Sequence, residues 1–222
     1  MLIDYDVVRS NRKTIEISVE RDANILVKVP NELADEAIEK QVHKKRLWIW
    51  EKLAIKKSYQ SDIEHKKFVS GESFLYLGRR YRLEMSDEDI ELKLKNGWFV
   101  LGKKQHFNAK EIFKAWYSEY LRKKLQQRLK IFEKNYGLGV LNFRVLELGY
   151  RWGSCSKDGT LNFNWKIAMA PLGVVDYIIA HEIAHLKEAT HSEKFWKEVQ
   201  RLMPNYLEKK EWLKQNGYEL FI

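Results

Sequence analysis

Apolar residues follow a two-residue period in the first part of the chain and then change to a helical period. Residues 14–20 and 25–29 alternate apolar and polar side chains on either side of the turn signal Asp22-Ala23-Asn24, which predicts a β-hairpin. Asn31 is then a candidate helix cap. The pattern after it predicts a helix that continues, with a break, to about Lys57.

Two more hairpins are predicted in the first half of the chain. Residues 74–85 and 91–101 each contain two short apolar runs around a central turn signal. That signal is Gly78-Arg79-Arg80 in the first segment and Asn96-Gly97, a dipeptide that strongly favours two-residue hairpin turns, in the second. We therefore expect residues 1–105 to form a β-rich N-terminal region with one or two helices.

From residue 108 the apolar period is helical. Asn108 and Glu111 form a capping-box pattern, and Gly137 is a typical stop signal. Between them the apolar residues keep helical spacing, and the opposite face is strongly basic. The apolar positions are Ile112, Phe113, Trp116, Tyr117, Tyr120, Leu121, Leu125, Leu129 and Phe132. One long helix is predicted here.

A further hairpin is predicted just before the helix that begins near Pro171. Residues 143–148 and 160–166 have the pattern of strands, and Lys157-Asp158-Gly159 is a turn between them. Such a strand could offer its edge to an extended peptide. Residues 106–222 are expected to form the second region of the molecule, and the two regions could also pack as one unit.

Length and composition exclude several classes of protein. A chain of 222 residues with 45% hydrophobic residues can bury a sizeable core. Its single cysteine, Cys155, excludes an internal disulfide, and residues 1–6 lack the basic and apolar regions of a signal peptide. No stretch approaches the roughly 20 apolar residues that cross a bilayer. We therefore expect a cytoplasmic protein with no membrane partner.

The chain is basic, with a formal net charge of +9. Its lysines and arginines concentrate in residues 40–67 and 103–134, both largely predicted as helices. Aromatic residues in these segments have the spacing of a buried helical face, which favours a core role over base stacking. The basic helical faces keep nucleic acid open as a partner. The pattern carries no information on the oligomeric state.

Candidate chemistry is concentrated in residues 181–191, which hold three of the chain's six histidines. His181 and His185 are about 40° apart around a helix axis, so both imidazoles can bind one metal ion. With Glu182 between them they form the HExxH pattern, in which the glutamate is the general base for a metal-bound water. The two histidines also continue the apolar stripe of their helix, where burial without a partner would be costly.

His191 can join these two histidines only if the helix ends after His185. Six residues along a continuous helix would turn its side chain about 240° away. Thr190 and Glu193 have the spacing of a capping box, as the N-cap and N3 residues of a second helix. The first helix must then end before Thr190, and His191 is expected in the first turn of the second. Three histidines and a water then give the open four-coordinate geometry of catalytic zinc. One Zn²⁺ ion is predicted, although imidazole ligands suit several metals.

Four more residues are candidates for contacts with the substrate or with developing oxyanion charge: Tyr150, Arg151, Asn162 and Tyr206. Arg151 could bind a substrate carboxylate or phosphate, or it could form a structural ion pair with Glu147. Both interpretations remain open. Cys155 is better explained as a small packed thiol than as a nucleophile, because the nearby histidines are assigned to the metal.

Several of these features recur in one known family. They are the run Arg151 to Cys155, the pair Leu161-Asn162, the HExxH helix, His191-Ser192, Phe195-Trp196 and Pro204-Asn205-Tyr206. Together they resemble the YgjP-like family of zinc metallopeptidases, which is related in motif layout to the SprT and Spartan-like proteases. The resemblance is dense in the last third of the chain and weaker before it. Thr190 stands where family members usually have asparagine.

The resemblance implies an α+β fold, with an N-terminal β-hairpin-rich layer and helices followed by a zincin-like C-terminal minidomain. In that minidomain a small sheet accompanies the HExxH helix. The resemblance also implies that His181, His185 and His191 bind zinc and that Glu182 is the base.

Three functions are carried forward. The favoured one is a zinc metallopeptidase that cleaves peptide or protein substrates with a zinc-activated water and Glu182 as the general base. The alternative is a metal-dependent hydrolase of a nucleotide or another phosphoanhydride, motivated by the basic surface and Arg151. The second alternative is a nucleic-acid-binding protein whose zinc only holds the fold.

Overall fold

The computed structural model describes residues 3–19, 24–60, 66–149 and 151–222. The chain divides into two compact units, Met1–Glu64 and His65–Ile222. Within the described residues there are six α-helices and three small sheets that each contain parallel and antiparallel strand pairs. The predicted α+β class is confirmed.

The first unit is a three-stranded sheet with two helices. Its strands are β1 (Asp6–Ser10), β2 (Glu16–Val19) and β3 (Ile25–Pro30), in the order β1-β3-β2, and the predicted hairpin is the β2–β3 pair. Helices α1 (Asp35–Lys44) and α2 (Arg46–Gln60) meet at Lys45, where the predicted break occurs. Alternate β3 residues pack with α1 and α2 in a core formed by Ile25, Val27, Val29, Ile38, Val42 and Ile49.

Strand β1 was missed by sequence reasoning. All five of its residues are exposed, so it has no alternation of buried and exposed side chains from which a strand could be predicted. It is held by parallel pairing with β3.

The second unit begins with a four-stranded sheet that confirms both predicted hairpins. The strands are β4 (Ser73–Tyr76), β5 (Arg79–Ser86), β6 (Lys93–Lys95) and β7 (Trp98–Gly102), in the order β4-β5-β7-β6. The central pair, β5 with β7, is parallel. The hairpin β6–β7 turns through two residues with positive φ, at 51° and 82°, as the Asn-Gly signal requires.

The long helix α3 (Ala109–Tyr136) covers this sheet. It follows a 3₁₀ turn at Lys103–Asn108, and the side chain of Asn108 makes no capping hydrogen bond, unlike the predicted capping box. The helix ends as predicted at Gly137, whose φ is 61°. Its buried stripe packs on aromatic residues of the sheet, with Phe113 stacked on Phe74 at a centroid distance of 4.3 Å.

A second, three-stranded sheet leads towards the histidines. It consists of β8 (Phe143–Leu146), β9 (Gly153–Cys155) and β10 (Leu161–Asn164), in the order β8-β10-β9. Strands β9 and β10 form an antiparallel hairpin, while β8 pairs with β10 in parallel. Strand β9 is therefore an edge strand of this sheet, and a 3₁₀ turn at Trp165–Met169 follows β10.

Three helices complete the second unit: α4 (Leu172–His185), α5 (Glu193–Leu202) and α6 (Tyr206–Asn216). The β4–β5 turn fixes the start of α4. Leu77 and Gly78 donate backbone hydrogen bonds to the segment before the helix, at 2.8 and 3.0 Å, and Gly78 lies against Pro171. Among the described helices none combines the length and the apolar composition that a bilayer crossing needs.

Candidate metal centre

Helix α4 is almost entirely buried, and it presents two of the histidines from one face. Its core residues include Val174 and Ile178, which lie on the same stripe as His181 and His185. The two imidazole rings have centroids 5.0 Å apart. The HExxH spacing predicted that the two imidazoles lie side by side on one face of a helix, and the structure has them there.

The chain turns back after His185 and brings His191 to the other two histidines. The Nε2 atoms of His191 and His181 are 3.1 Å apart, and one ring nitrogen from each of the three histidines lies within 4.8 Å of the others. A tetrahedral zinc site with Zn–N distances of about 2.0–2.1 Å places neighbouring nitrogens about 3.3 Å apart. The three imidazoles could thus hold one metal ion.

A backbone carbonyl orients one ring. The Nδ1 atom of His185 lies 3.1 Å from the carbonyl oxygen of Glu188, which can only accept, so Nδ1 carries the proton and Nε2 is left as a ligand atom. The segment carrying this carbonyl is itself fixed, since the amide of Glu188 donates to the carbonyl of Ala184.

The environment favours the neutral form of His181 and His191, which is the form that binds a metal. Burial, then the neighbouring histidines and Lys210, lowers the pKa of His181 to about 3. Burial, His185 and Lys210 also lower the pKa of His191. The Nδ1 atom of His181 is buried without a hydrogen-bond partner among the described residues.

The cap of α5 differs from the predicted one. Ser192, not Thr190, is the N-cap residue, and its Oγ accepts a hydrogen bond from the amide of Phe195 at 3.3 Å. The Thr190 hydroxyl instead donates to the Glu188 carboxylate at 3.1 Å. Both hydroxyls are suitable caps, so spacing alone could not choose between them. As a result His191 precedes α5, whereas we expected it in the first helical turn.

Glu182 lies on the neighbouring face of α4 against strand β9. It is 4% exposed, and a Cβ atom added to Gly153 would stand 2.5 Å from its Oε1. Burial raises the pKa of Glu182 to about 8, and the positive charge of Arg151 acts in the opposite direction. Sequence reasoning did not single out Gly153, since only the folded chain shows that its missing side chain makes room for the carboxylate.

An aromatic stack supports the exposed third histidine. The ring of His191 is 5.9 Å from Trp196 at an interplanar angle of 26°, and Trp196 is 5.6 Å from Tyr206 at 19°. The Nζ atom of Lys210 lies 3.9 Å from the centre of the Trp196 ring. Tyr206 is thus beside the site. Nothing in the sequence of α6 indicates that Lys210, one turn after Tyr206, also lies beside the site.

The other candidate residues have varied surroundings. Arg151 is exposed and forms no ion pair with Glu147 in the described residues. Glu147 instead contacts Lys114 at 3.5 Å, Lys166 at 3.2 Å and the indole nitrogen of Trp165. The structural ion pair considered for Arg151 is therefore not formed.

Asn162 and Cys155 lie in the β9–β10 hairpin. The amide nitrogen of Asn162 donates within that hairpin, with Ser156 Oγ at 2.8 Å. Burial, then Glu182 and Asp158, raises the pKa of the Cys155 thiol, which accords with a packed thiol rather than a nucleophile. Tyr150 lies outside the described residues.

Comparison with known proteins places the chain in a family. No curated protein matches it. A solved structure that is similar, the crystal structure of the metallopeptidase zymogen abylysin of Pyrococcus abyssi, is 26% identical over 40% of this chain and 92% of that one, with a TM-score of 0.37. Residues 13–216 match the family described as YgjP-like, metallopeptidase domain. The chain belongs to the YgjP-like metallopeptidase family.

Proposed function

We propose that the protein is a zinc-dependent peptidase with His181, His185 and His191 as the metal ligands and Glu182 as the general base. The observation that carries this proposal is the convergence of three imidazole nitrogens within 4.8 Å of one another. Family membership over residues 13–216 supports peptide hydrolysis as the reaction class.

The donor set fits zinc. Three neutral imidazoles leave a fourth tetrahedral position for water, the arrangement of catalytic rather than structural zinc sites. When bound, zinc would lower the pKa of its water ligand towards about 7 and polarise the substrate carbonyl. The carbonyl of Glu188 orients the ring of His185 for this role at 3.1 Å.

Glu182 would accept the proton of the attacking water and later give it to the leaving amine. A carboxylate that both accepts and returns a proton works best when its pKa is near the working pH. Burial supplies the upward shift in the pKa of Glu182, and the positive charge of Arg151 limits it. A divalent cation nearby would act in the same direction as Arg151.

Strand β9 provides a place for the substrate backbone. It pairs with β10 on one side only among the described strands, and its first residue, Gly153, touches Glu182. An extended peptide that pairs with this free edge would run past the base and the histidines. Arg151 and Tyr206 remain the proposed substrate contacts, whereas the amide nitrogen of Asn162 is already engaged in the hairpin.

Glu182→Gln tests the proposal. The variant keeps the size of the side chain but not its basicity, so we expect bound zinc to stay at the wild-type level while peptide cleavage falls by at least about 1,000-fold. Metal analysis and mass spectrometry of digested peptide mixtures measure the two effects. Cleavage that survives in Glu182→Gln would refute the role of this residue.

His191→Ala and a substrate screen complete the test. Removing the third ligand should lower zinc content and cleavage together. The same zinc-loaded wild-type protein is offered nucleoside triphosphates alongside peptides. Hydrolysis of nucleotides without any cleavage of peptides would contradict the proposed reaction.

A further inference from the structure

Two cationic side chains lie near the candidate metal centre, one on α6 and one in the segment before β9. Lys210 on α6 has its Nζ 3.9 Å from the centre of the Trp196 ring, and that ring stacks on His191. Arg151 lies two residues before Gly153, the residue that touches Glu182. Both cations are exposed, and neither forms an ion pair with a carboxylate in the part of the chain that the structure describes.

Neighbouring lysines on α6 are neutralised instead. Lys209 pairs with Glu208 at 3.2 Å, and Lys214 pairs with Glu211 at 3.4 Å. Lys210 is placed differently, because it lies one helical turn after Tyr206 and so shares the face of α6 that meets Trp196. Its ammonium group lies over the Trp196 ring, and the carboxylate of Glu211, on which its charge also acts, is paired with Lys214.

The contact with Trp196 holds the ammonium group without using up its hydrogen bonds. A cation over an aromatic face is attracted by the ring quadrupole, and an ammonium group has three donors. The Trp196 ring that carries this ammonium group stacks on His191, so the charge of Lys210 lies one ring away from the candidate metal centre. Donors of Lys210 thus remain available to a ligand beside the histidines.

The charges of the site do not balance without a ligand. A bound divalent ion, Arg151 and Lys210 would together carry more positive charge than is offset by the carboxylates of Glu182 and of Glu211, which also pairs with Lys214. A partly buried site with such an excess of positive charge favours an anionic substrate and disfavours a cationic one.

We propose that Lys210, together with Arg151, selects substrates that carry a carboxylate beside the scissile bond. This inference rests on the proposed peptidase function and names its substrate class. The carboxylate belongs either to an aspartate or glutamate side chain or to the C-terminus of the peptide. Lys210 would bind it from the α6 side of the histidines and Arg151 from the β9 side, through charge-assisted hydrogen bonds.

Binding is measured first, in the zinc-loaded Glu182→Gln protein, so that the probes stay intact. Four octapeptides carry the same uncharged BODIPY label and share uncharged residues at all but the central positions. Two have glutamate at the central positions and two have glutamine, and each version ends in a free carboxylate or in an amide. Fluorescence anisotropy gives the four dissociation constants, and metal analysis verifies the zinc content of every protein used.

We expect at least one carboxylate-bearing probe to bind about 10-fold more tightly than the neutral amide probe. The glutamate and C-terminal arms distinguish the two sources of the carboxylate. Adding Lys210→Gln or Arg151→Gln should reduce this preference several-fold, measured as the ratio of the dissociation constants of the charged and neutral probes. Lys210→Arg should retain it, and Lys209→Gln, which makes the same charge change on the same helix, should leave it intact.

Cleavage of the same peptides by the wild-type protein separates the two proposals. Equal affinity for all four probes would overturn the proposed substrate class, even in a protein that cleaves peptides. An equal loss of affinity for the charged and the neutral probes in Lys210→Gln would overturn it too. A clear binding preference in a protein that cleaves no peptide would count against the peptidase function alone.

Discussion

At the scale of single residues, the candidate centre depends on a glycine as well as on its histidines. The Glu182 carboxylate occupies the space that a side chain at Gly153 would need. The φ angle of Gly153 is not positive, so glycine is required here for room rather than for conformation. The position of the Glu182 carboxylate, the proposed base, is therefore set partly by a residue that has no side chain.

Gly153→Ala should displace Glu182 and slow catalysis. A methyl group would stand 2.5 Å from Oε1, and moving a catalytic group by about 1 Å can cost up to about 100-fold in rate. We expect kcat to fall by about 10- to 100-fold while zinc content is kept, measured by peptide cleavage and metal analysis. Gly139→Ala is the matched control, because nothing lies within 4 Å of its added methyl group. Wild-type kcat in Gly153→Ala would contradict this account.

The proximity of the first two histidines could be predicted because their relation is local. His181 and His185 are one helical turn apart, and helix geometry alone brings their rings together. The cap of α5 could not be assigned as surely, since Thr190 and Ser192 both have hydroxyls that can cap. Gly153 and Lys210 act across elements, by contacts with Glu182 and Trp196 that no local pattern contains.

At the scale of elements, the β4–β5 turn determines where α4, the helix that carries His181 and His185, begins. Its backbone amides bond to the segment before α4, and Gly78 packs on Pro171 with almost no space between them. A second link joins α3 to α4, where Arg128 and Asp176 form a bidentate pair at 2.6 and 2.7 Å. The sheet of β4 to β7 thus positions the site without contributing a candidate ligand.

Gly78→Ala should destabilise the second unit more than replacing another glycine that has a similar positive φ but open surroundings. Gly78 has φ of 78°, and its new methyl group would lie 2.8 Å from Pro171. We expect a loss of about 1 kcal/mol from the backbone and about 1–3 kcal/mol more from the clash. Gly97→Ala, with φ of 82° and open surroundings, gives the backbone cost alone. Denaturant unfolding compares the variants, and equal losses would contradict the role of the turn.

Glu198 links α5 to the end of α4, and its contribution should depend on pH. Hydrogen bonds from Arg201, then Lys187, lower the pKa of Glu198 to about 2 in the folded protein. A lowered pKa stabilises the fold above the unfolded value of about 4.5 and ceases to do so as pH falls towards 2.

Glu198→Gln should therefore lower the free energy of unfolding near pH 7 by about 1 kcal/mol, a modest figure because solvent screens the exposed ends of Arg201 and Lys187. The difference from wild type should shrink between pH 4.5 and 2. Urea unfolding across this range measures it. A constant difference at all pH values would show that the charge of Glu198 is not the cause.

The elements themselves were predicted unevenly, for a physical reason. The hairpins β2–β3, β4–β5 and β6–β7 depend on turn residues and alternation that are present in the sequence, and they are confirmed. The hairpin predicted from residues 143–148 and 160–166 is wrong, because β8 and β10 pair in parallel and the hairpin partner of β10 is β9. The parallel pairs β5–β7, β1–β3 and β8–β10 join strands that are separated along the chain. Their pairing is decided by packing, for which a single sequence gives no local signal.

At the scale of the whole molecule, each compact unit has its own core. The core of the second unit runs from Phe68 to Leu220 and includes both sheets and helices α3 to α5. Residues 66–105 share this core, since Phe74 and Phe99 contact Phe113 of α3. The histidines therefore depend on packing that begins about a hundred residues before them.

Two truncations test this dependence. A protein of residues 66–222 should fold and bind one zinc ion, whereas residues 106–222 alone should not, because the apolar face of α3 would lose its cover. Circular dichroism melting and metal analysis compare the two fragments. If the fragment of residues 106–222 folds and binds zinc, the sheet of β4 to β7 is not needed for folding or for metal binding.

The bond from His185 to the carbonyl of Glu188 has a consequence for how the site can change over evolutionary time. Every amino acid at position 188 supplies the same carbonyl, so the side chain there can vary without altering the ring. The path of the main chain, however, cannot vary. An inserted or deleted residue between His185 and His191 would redirect the carbonyl and shift the third histidine together. We therefore expect the number of residues between His185 and His191 to be more constrained than the identity of residue 188.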